Sequence, residues 1–401
     1  MSESDAADDE PSLSPGMTVL LAAASGLIAA NIYYAQPLIG PISAALSLPP
    51  KAAGLIVTLM QIGYGAGLLL IAPLADRVEN RRLALGAIGL AALGLLGAAL
   101  SAQAATFLAC ALLIGLGSVA VQVLMPLAAH MAPAATRGRV VGEVTTGLSL
   151  GIMLSRPVAS FIAASSSWRT VFFAATAGMV AIAAVLALAL PKRQPTAQVR
   201  YGALLASMVR LALTTPVLRR RALYQSCLFA AFSLFWTTTP LLLTDAFHLT
   251  QRGIALFALA GVSGAIAAPI AGRIADRGHS RVATGLAILT VAVAFLVTDL
   301  APAGSALALT LLVGAAILVD FGLQANLVVG FRAIFALGAE SRGRLNGLYI
   351  ASFFAAGALG SALGAWAYAQ GGWALASAFG LAFPVTALVF FALETRRAEA
   401  S

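Results

Sequence analysis

The feature that most constrains this chain is a series of about twelve apolar stretches separated by short charged or Gly/Pro segments. Most of them approach the roughly 20 residues that an α-helix needs to cross a bilayer. Hydrophobic residues make up 60% of the chain and charged residues only 10%, so a water-soluble core could not hide this apolar surface. The sequence therefore predicts an all-α membrane protein. The predicted spans cover residues 17–45, 52–73, 83–101, 104–131, 140–164, 168–190, 222–244, 253–271, 282–299, 305–335, 345–369 and 373–393.

Basic residues are distributed unevenly among the loops between these spans. If the first span starts from the cytosol, the loops on that side hold most of the arginines, whereas the opposite loops hold only Lys51, Arg169 and Arg252. Membrane proteins retain positive charge on the cytosolic side. We therefore expect both termini to lie in the cytosol.

A polar and basic segment, residues 191–221, is too long for a tight turn and divides the spans evenly. It predicts a cytosolic linker between an N-terminal half, residues 17–190, and a C-terminal half, residues 222–394. Residues 1–16 are acidic, unlike the basic start of a secretory signal, and are expected to form a disordered cytosolic tail. Residues 395–401 form a second short cytosolic tail.

The two halves repeat each other in sequence. The segment Leu74–Arg77 recurs about 200 residues later as Ile274–Arg277, and Trp168 recurs at a similar offset as Trp373. Matches in the same order and on the same side of the membrane indicate a parallel repeat. We therefore expect twelve transmembrane helices in two six-helix half-domains, the architecture of an alternating-access carrier.

Composition and motif content argue against several other classes of protein. The net charge of +9 is scattered over short loops, so we expect no nucleic-acid partner. Cys110 and Cys227 lie in apolar stretches without His or Cys at ligand spacing, so neither a disulfide nor a metal site is expected. The three histidines have no nucleophile around them, and no Gly-x-x-x-x-Gly-Lys motif is present. The sequence therefore predicts a protein that is not an enzyme, has no cofactor and does not use ATP directly.

The repeated Asp-Arg loops resemble those of the major facilitator superfamily, and the resemblance extends from Met17 to Glu394. The superfamily pattern is Gly, three residues, Asp-Arg, then Gly and basic residues. The segment Gly272–Arg281 fits this pattern, whereas the first copy has Ala72 and Val78 where glycines are usual. The resemblance implies a multi-pass carrier of the bacterial inner membrane that acts as a monomer on a small-molecule substrate.

Other motifs concern the branch within the superfamily. Asn31–Pro37 and Arg342–Gly347 are similar to the bacterial efflux branch of arabinose and drug exporters, which implies proton-coupled antiport. Gly147–Pro157 also resembles the fifth-helix motif of antiporters, but Arg156 stands where glycine is typical. The family's fourth-helix arginine motif is absent from residues 113–117. The chain thus departs from the pattern of a standard drug-antiport proton relay.

The resemblance implies that the repeated loops form part of a gate that holds the two halves together on the cytosolic side. The alternative is a solvated turn whose arginines only set the orientation of the chain. The predicted gating residues are Asp76, Arg77, Arg81, Asp276, Arg277 and Arg281.

Three charged residues fall inside predicted spans: Glu143, Arg156 and Asp320. An unpaired charge there costs about 2.5 to 3.5 kcal/mol, so it is usually retained for function or pairing. None of the three has a counterpart in the other half, which suits a single functional site and not a gate common to both halves. We expect Asp320 to take part in proton coupling, with Glu143 as the second candidate, although Glu143 could simply pair with Arg139 one turn away. A fixed structural ion pair is the alternative for Asp320, and its pairing with Arg156 is left open by the sequence.

Polar and aromatic residues lie in the first, fourth, seventh and tenth spans, the helices that line the central cavity in this superfamily. As a group they suggest an amphipathic cavity, although any one of them could serve only in packing. With Arg156, the predicted substrate-binding residues are Asn31, Tyr33, Tyr34, Gln36, Gln122, Trp236, Gln324 and Asn326.

The leading functional hypothesis is a secondary transporter that exports a small amphipathic solute or drug in exchange for protons. The alternative within transport is an uptake carrier for a sugar, an organic acid or a siderophore-like molecule, for which Arg156 would be a natural anion ligand. A membrane receptor without transport is a third hypothesis, but such a protein normally brings a soluble signalling domain.

Overall fold

The computed structural model describes residues 13–195, 200–338 and 341–399, with side chains up to residue 394. Most of the predicted N-terminal tail, residues 1–12, and the last two residues of the C-terminal tail lie outside this part. Every regular element in the described residues is an α-helix or a short 3-10 helix. The predicted all-helical architecture is therefore confirmed.

The first half of the chain contains eight helices: α1 (Pro15–Ala30), α2 (Ile39–Ala45), α3 (Leu55–Leu70), α4 (Asn80–Leu100), α5 (Ala104–Ser118), α6 (Ala120–Met131), α7 (Arg137–Ser165) and α8 (Trp168–Ala189). A separate helix, α9 (Tyr201–Thr214), follows. The rest of the chain contains α10 (Pro216–Asp245), α11 (Gln251–Ala258), α12 (Gly264–Asp276), α13 (Ser280–Thr298), α14 (Ala306–Phe335) and α15 (Arg342–Glu399).

Several helical stretches are interrupted, either within a predicted span or between two of them. A turn and the 3-10 helix Gln36–Leu38 separate α1 from α2, and the 3-10 helix Leu259–Ser263 joins α11 to α12. Helix α15 is broken at Gly371 and Gly372, where Gly372 has a φ of 62°. A glycine adopts this left-handed conformation without a steric penalty, so the chain can reverse direction there. In the described residues, ten helical segments are long and apolar enough to cross a membrane.

The linker contains a helix that the sequence analysis did not predict. Helix α9 buries Leu204 and Met208, and α10 already begins at Pro216, before the predicted span that starts at residue 222. Proline suits the first turn of a helix because its missing N–H has no intrahelical partner there. The predicted polar linker is therefore partly helical.

The helices approach one another most closely where glycine replaces a side chain. A Cβ added at Gly151 of α7 would lie 2.2 Å from the carbonyl oxygen of Gly26 in α1. A Cβ added at Gly54, just before α3, would lie 2.3 Å from the carbonyl oxygen of Ser361 in α15. Small residues allow this backbone contact between membrane helices. The second contact joins the N-terminal half to the C-terminal half.

The loops are gathered at two ends of the helical bundle. Ser47, Asp245 and Tyr368 line a cavity at one end, here called the Asp245 end. Asp76 and Arg193 line a cavity at the other, here called the Asp76 end. At the Asp245 end of the bundle the two halves meet, since α7 contacts α11 and α10 contacts α2.

Candidate substrate and proton site

A cavity of about 180 Å³ lies between the two halves, and it contains the buried charges that the sequence analysis singled out. Helices α1, α3, α7, α10, α14 and α15 all contribute to its wall. Its lining is mostly apolar and aromatic, with amide and hydroxyl groups interspersed. Among its lining residues, Arg156 and Asp320 are the charged ones. The cavity therefore suits a small solute with a substantial apolar surface.

Arg156 of α7 and Asp320 of α14 form an ion pair across the two halves. The distance from Arg156 Nη2 to Asp320 Oδ1 is 3.8 Å, and the two side chains are only 3% and 7% exposed. This separation is within the range of an ion pair but beyond a hydrogen bond. Each group thus neutralises the charge of the other while keeping hydrogen-bonding capacity for a third group.

Trp236 of α10 connects the two charges. Its indole Nε1 donates a hydrogen bond of 2.8 Å to Asp320 Oδ2, and its ring centroid lies 4.1 Å from the guanidinium carbon of Arg156. The rings of Phe232 and Tyr33 lie 5.1 and 5.8 Å from the same carbon. Cation–π attraction to three rings stabilises the buried guanidinium. Arg156 Nε is nevertheless buried without a hydrogen-bond partner in the described part of the chain.

The 3-10 helix Leu259–Ser263 brings backbone against this pair. A Cβ added at Gly261 would lie 2.9 Å from Arg156 Nη1, 3.1 Å from Trp236 Cζ2 and 3.4 Å from Asp320 Oδ1. Even the smallest side chain would therefore press on the guanidinium of Arg156 and the ring of Trp236. Because Gly261 has no side chain, the guanidinium of Arg156 can approach the backbone of this 3-10 helix.

Besides Arg156, four of the predicted substrate ligands lie at this site. Tyr33, Gln122 and Gln324 line the cavity, and Trp236 contacts both charges. Asn326 does not itself line the cavity. Its Nδ2 donates a hydrogen bond of 2.7 Å to Oε1 of Gln225, which does line it.

The other three predicted ligands are placed elsewhere. Asn31 is buried and its Nδ2 contacts Met179 Sδ at 3.2 Å. Gln36 is fully buried at the break between α1 and α2, where its amide has no hydrogen-bond partner in the described residues. Tyr34 is half-buried and does not line the central cavity.

Several lining residues were not predicted from the sequence. Tyr64 of α3 accepts a hydrogen bond of 3.1 Å from Gln122 Nε2, and Gln225 faces the cavity from α10. Phenylalanines from α10 and α15 form the apolar wall. These are Phe229, Phe232, Phe353 and Phe354. The spacing of three residues between Phe229 and Phe232 was the available signal, but aromatic residues at that spacing usually serve packing alone.

Glu143 lies apart from this site. Its carboxylate accepts a hydrogen bond of 2.8 Å from Arg139 Nε, one turn earlier on α7, and its side chain is 44% exposed. The geometry thus matches the local-pair alternative of the sequence analysis.

The predicted gating residues do not form one cluster. Asp76 lines the cavity at its end of the bundle together with Gly343 at the start of α15, and so faces the opposite half. Asp276 instead pairs with Arg332 of α14, within its own half.

The gating arginines are equally dispersed. Arg81 Nη1 donates to the carbonyl of Leu190 at 3.2 Å, and Arg281 lines a small cavity with Arg220 and Glu394. Arg77 and Arg277, like Arg81 and Arg281, have no carboxylate partner in the described residues.

Comparison with known proteins identifies the relatives of this chain. A family model of the Major Facilitator Superfamily matches residues 21–329. The chain is 38% identical over 363 residues to the uncharacterized transporter YgaY of Escherichia coli O157:H7, covering 90% of this chain and 91% of the relative. It is 33% identical over 364 residues to a probable transporter of Streptomyces coelicolor, covering 88% and 82%.

Solved structures share the fold at low sequence identity. A mutant of the nucleoside transporter NupG superposes with a TM-score of 0.77 at 13% identity, covering 94% of this chain and 99% of the other. A bacterial homolog of the human lysosomal transporter Spinster, in an inward-facing and occupied conformation, superposes with a TM-score of 0.73 at 16% identity. The match covers 95% of this chain and 96% of the other.

Proposed function

Given that the chain belongs to the major facilitator superfamily and is a membrane transporter of that type, we propose that it exports a small amphipathic solute in exchange for protons. The proposed cycle is alternating access around the central cavity. The observation that carries the proposal is the buried pair of Arg156 and Asp320, which joins the two halves across that cavity.

We further propose the topology in which this cycle operates. Counting α1 with α2 as one crossing and α15 as two, the chain has twelve crossings in two six-helix halves, related by the repeat of the Asp-Arg loops. The Asp76 end, with both termini and the linker, faces the cytosol, because the loops there carry most of the arginines. The membrane is the bacterial inner membrane.

The exchange of proton for solute follows from the position of Asp320. Ionised Asp320 accepts a hydrogen bond from Trp236, and its carboxylate borders the cavity, where it can bind a donor or cationic group of the solute. Protonation removes that negative charge, so proton and solute compete for one carboxylate. A protein that changes the access of this site from one side to the other then couples the two fluxes.

A second candidate function is the uptake of an organic anion, and a specific observation favours it. Arg156 Nε has no hydrogen-bond partner in the described residues, and the guanidinium is 3.8 Å from Asp320. Protonation of Asp320 would leave Arg156 unneutralised and able to bind a carboxylate in two-point fashion. Anion and proton would then occupy the site together and move in the same direction.

Transport by purified protein in liposomes tests both candidates. Amphipathic cations and neutral drugs form one substrate panel, and carboxylates and sugars form another, each measured with an imposed pH gradient in both directions. Antiport predicts that solute moves against the proton flux, whereas anion uptake predicts movement with it.

The matched control concerns the carboxylate itself. Asp320→Asn should abolish the response to the pH gradient, while Asp299→Asn should keep it, because Asp299 contacts Ser377 away from the cavity. Gradient-driven accumulation at the parental rate by a folded Asp320→Asn protein would refute coupling at this site.

A further inference from the structure

Helix α9 in the linker is apolar but too short to cross a membrane. Its 14 residues span about 21 Å at 1.5 Å per residue, against about 30 Å of hydrocarbon. An apolar helix of this length is either buried in protein or located at a membrane interface. Helix α9 has one face suited to each of these two environments.

One face of α9 packs on the transporter and the opposite face does not. Leu204 and Met208 are buried. The outward face is also apolar and consists of residues spaced by four, three and four positions: Gly202, Ala206, Val209 and Leu213. Val209 and Leu213 are 60% and 67% exposed. A helix with water on its outer side would carry polar residues on that face.

The charge around α9 has one sign. Residues 191–221 contain no aspartate or glutamate, and their basic residues are Lys192, Arg193, Arg200, Arg210, Arg219, Arg220 and Arg221. Within the described part of the chain, Arg200, Arg210 and Arg219 have no carboxylate partner. Basic residues beside an exposed apolar stripe are the signature of a helix that lies on an anionic bilayer surface.

The neighbours of α9 place it beside the membrane and at the Asp76 end. Helix α10, a predicted span, begins at Pro216, two residues after α9 ends. The hydroxyl of Tyr201 donates to the carbonyl of Leu70 at 2.8 Å, at the end of α3. Arg344 Nη1, at the start of α15, donates to Ser207 Oγ at 2.8 Å. Because α3 and α15 belong to different halves, α9 connects both halves of the transporter.

We propose that the outward face of α9 lies in the anionic lipid leaflet, and that these lipids stabilise the conformation in which α9 bridges the two halves. The acyl–headgroup boundary takes up Val209 and Leu213, and lipid phosphates bind Arg210 and Arg219. Lipid that binds to one arrangement of the halves and not to the other raises the population of the arrangement to which it binds. The lipid thus acts as a regulator of the carrier, whatever its substrate and direction of transport.

Depth measurement tests the membrane contact directly. Spin labels are placed at Leu213→Cys or Thr214→Cys in the full-length protein, with both native cysteines replaced by serine. The two positions are adjacent in sequence but about 100° apart around the helix. In nanodiscs holding one transporter each, the label at 213 should be accessible to oxygen and shielded from a water-soluble nickel complex. The label at 214 should be accessible to nickel.

Two outcomes of this measurement overturn the proposal. Nickel accessibility at position 213 equal to that at 214 would place the outward face in water. Shielding of the label at 213 from both the nickel complex and oxygen would mean that other parts of the protein cover the face. A single transporter per nanodisc excludes a second copy as the cause of shielding.

The regulatory part is tested by measuring distances between the halves. Spin labels at Gly138→Cys in α7 and Gly272→Cys in α12 occupy open positions, since an added Cβ meets nothing within 4 Å at either. Replacing neutral lipid by phosphatidylglycerol should raise the population with the separation seen in this structure by about fivefold to about thirtyfold, the effects of one and of two arginines at an anionic surface. Arg210→Gln with Arg219→Gln should reduce the change to less than about twofold. Arg252 is an exposed charge at the Asp245 end, so Arg252→Gln is the matched control and should keep the parental response to phosphatidylglycerol. An equal lipid response in all three proteins would refute the regulatory role of α9.

Discussion

A double-mutant cycle on Arg156 and Asp320 separates a structural from a transport role of the ion pair. The side chains are 3% and 7% exposed, and their charges are 3.8 Å apart. At an effective dielectric constant near 20, two unit charges at that distance attract by about 4 kcal/mol. Removing one partner of a buried pair typically costs about 3–5 kcal/mol, because the other charge is left uncompensated. We therefore expect Arg156→Gln to lower stability by about 4 kcal/mol.

The opposite single variant should cost less. In Asp320→Asn the amide oxygen can still accept the hydrogen bond from Trp236, and Arg156 keeps its contacts with three rings. These cation–π contacts are each worth about 0.5–2 kcal/mol. The double variant removes both charges and leaves neither unpaired, so it should recover most of the stability lost by Arg156→Gln.

Thermal unfolding of the purified proteins in one detergent measures the stability of each variant, and the liposome assay measures its transport. The expected result is a double variant near parental stability without proton-coupled transport. If the losses of stability from the two single variants simply add in the double variant, the charges do not interact and the reasoning fails. If the stable double variant transports normally, the pair is structural only.

Three further predictions concern the glycine contact, the topology and the gate. Gly261→Ala should impair transport in a folded protein because its Cβ displaces the buried guanidinium, whereas Gly178→Ala, which meets nothing within 4 Å, should behave like the parent in the liposome assay. Cysteines at Thr214 and Ala303, on opposite ends of the bundle, should react with a membrane-impermeant maleimide from opposite sides of the membrane; reaction from one side would refute the topology. Asp276→Asn breaks an ion pair and should shift the conformational populations measured with spin labels, and unchanged populations with normal transport would remove this residue from the gate.

Hydropathy alone located the membrane helices, because each span is a local run of apolar residues whose length is set by the bilayer. The predicted stretch 168–190 corresponds to α8, and the predicted stretch 104–131 to α5 with α6. The interruption of α11 and α12 was not predicted, since a 3-10 turn depends on packing against α7 and α14 more than on composition. Helix α9 was missed because Arg210 within it and the arginines that flank it lower the mean hydropathy of this segment.

The sequence also indicated charges within the predicted spans, since Glu143, Arg156 and Asp320 can be read directly from apolar stretches. It did not determine their partners. Whether Arg156 meets Asp320, while Glu143 meets only Arg139, depends on how deep each residue lies and which way each helix is rotated in the bundle. Close backbone contacts between segments far apart in sequence, such as that of Gly151 with Gly26, constrain those rotations. Local sequence thus sets the helices and their charges, and only the packed tertiary structure brings two charges from different halves to one cavity.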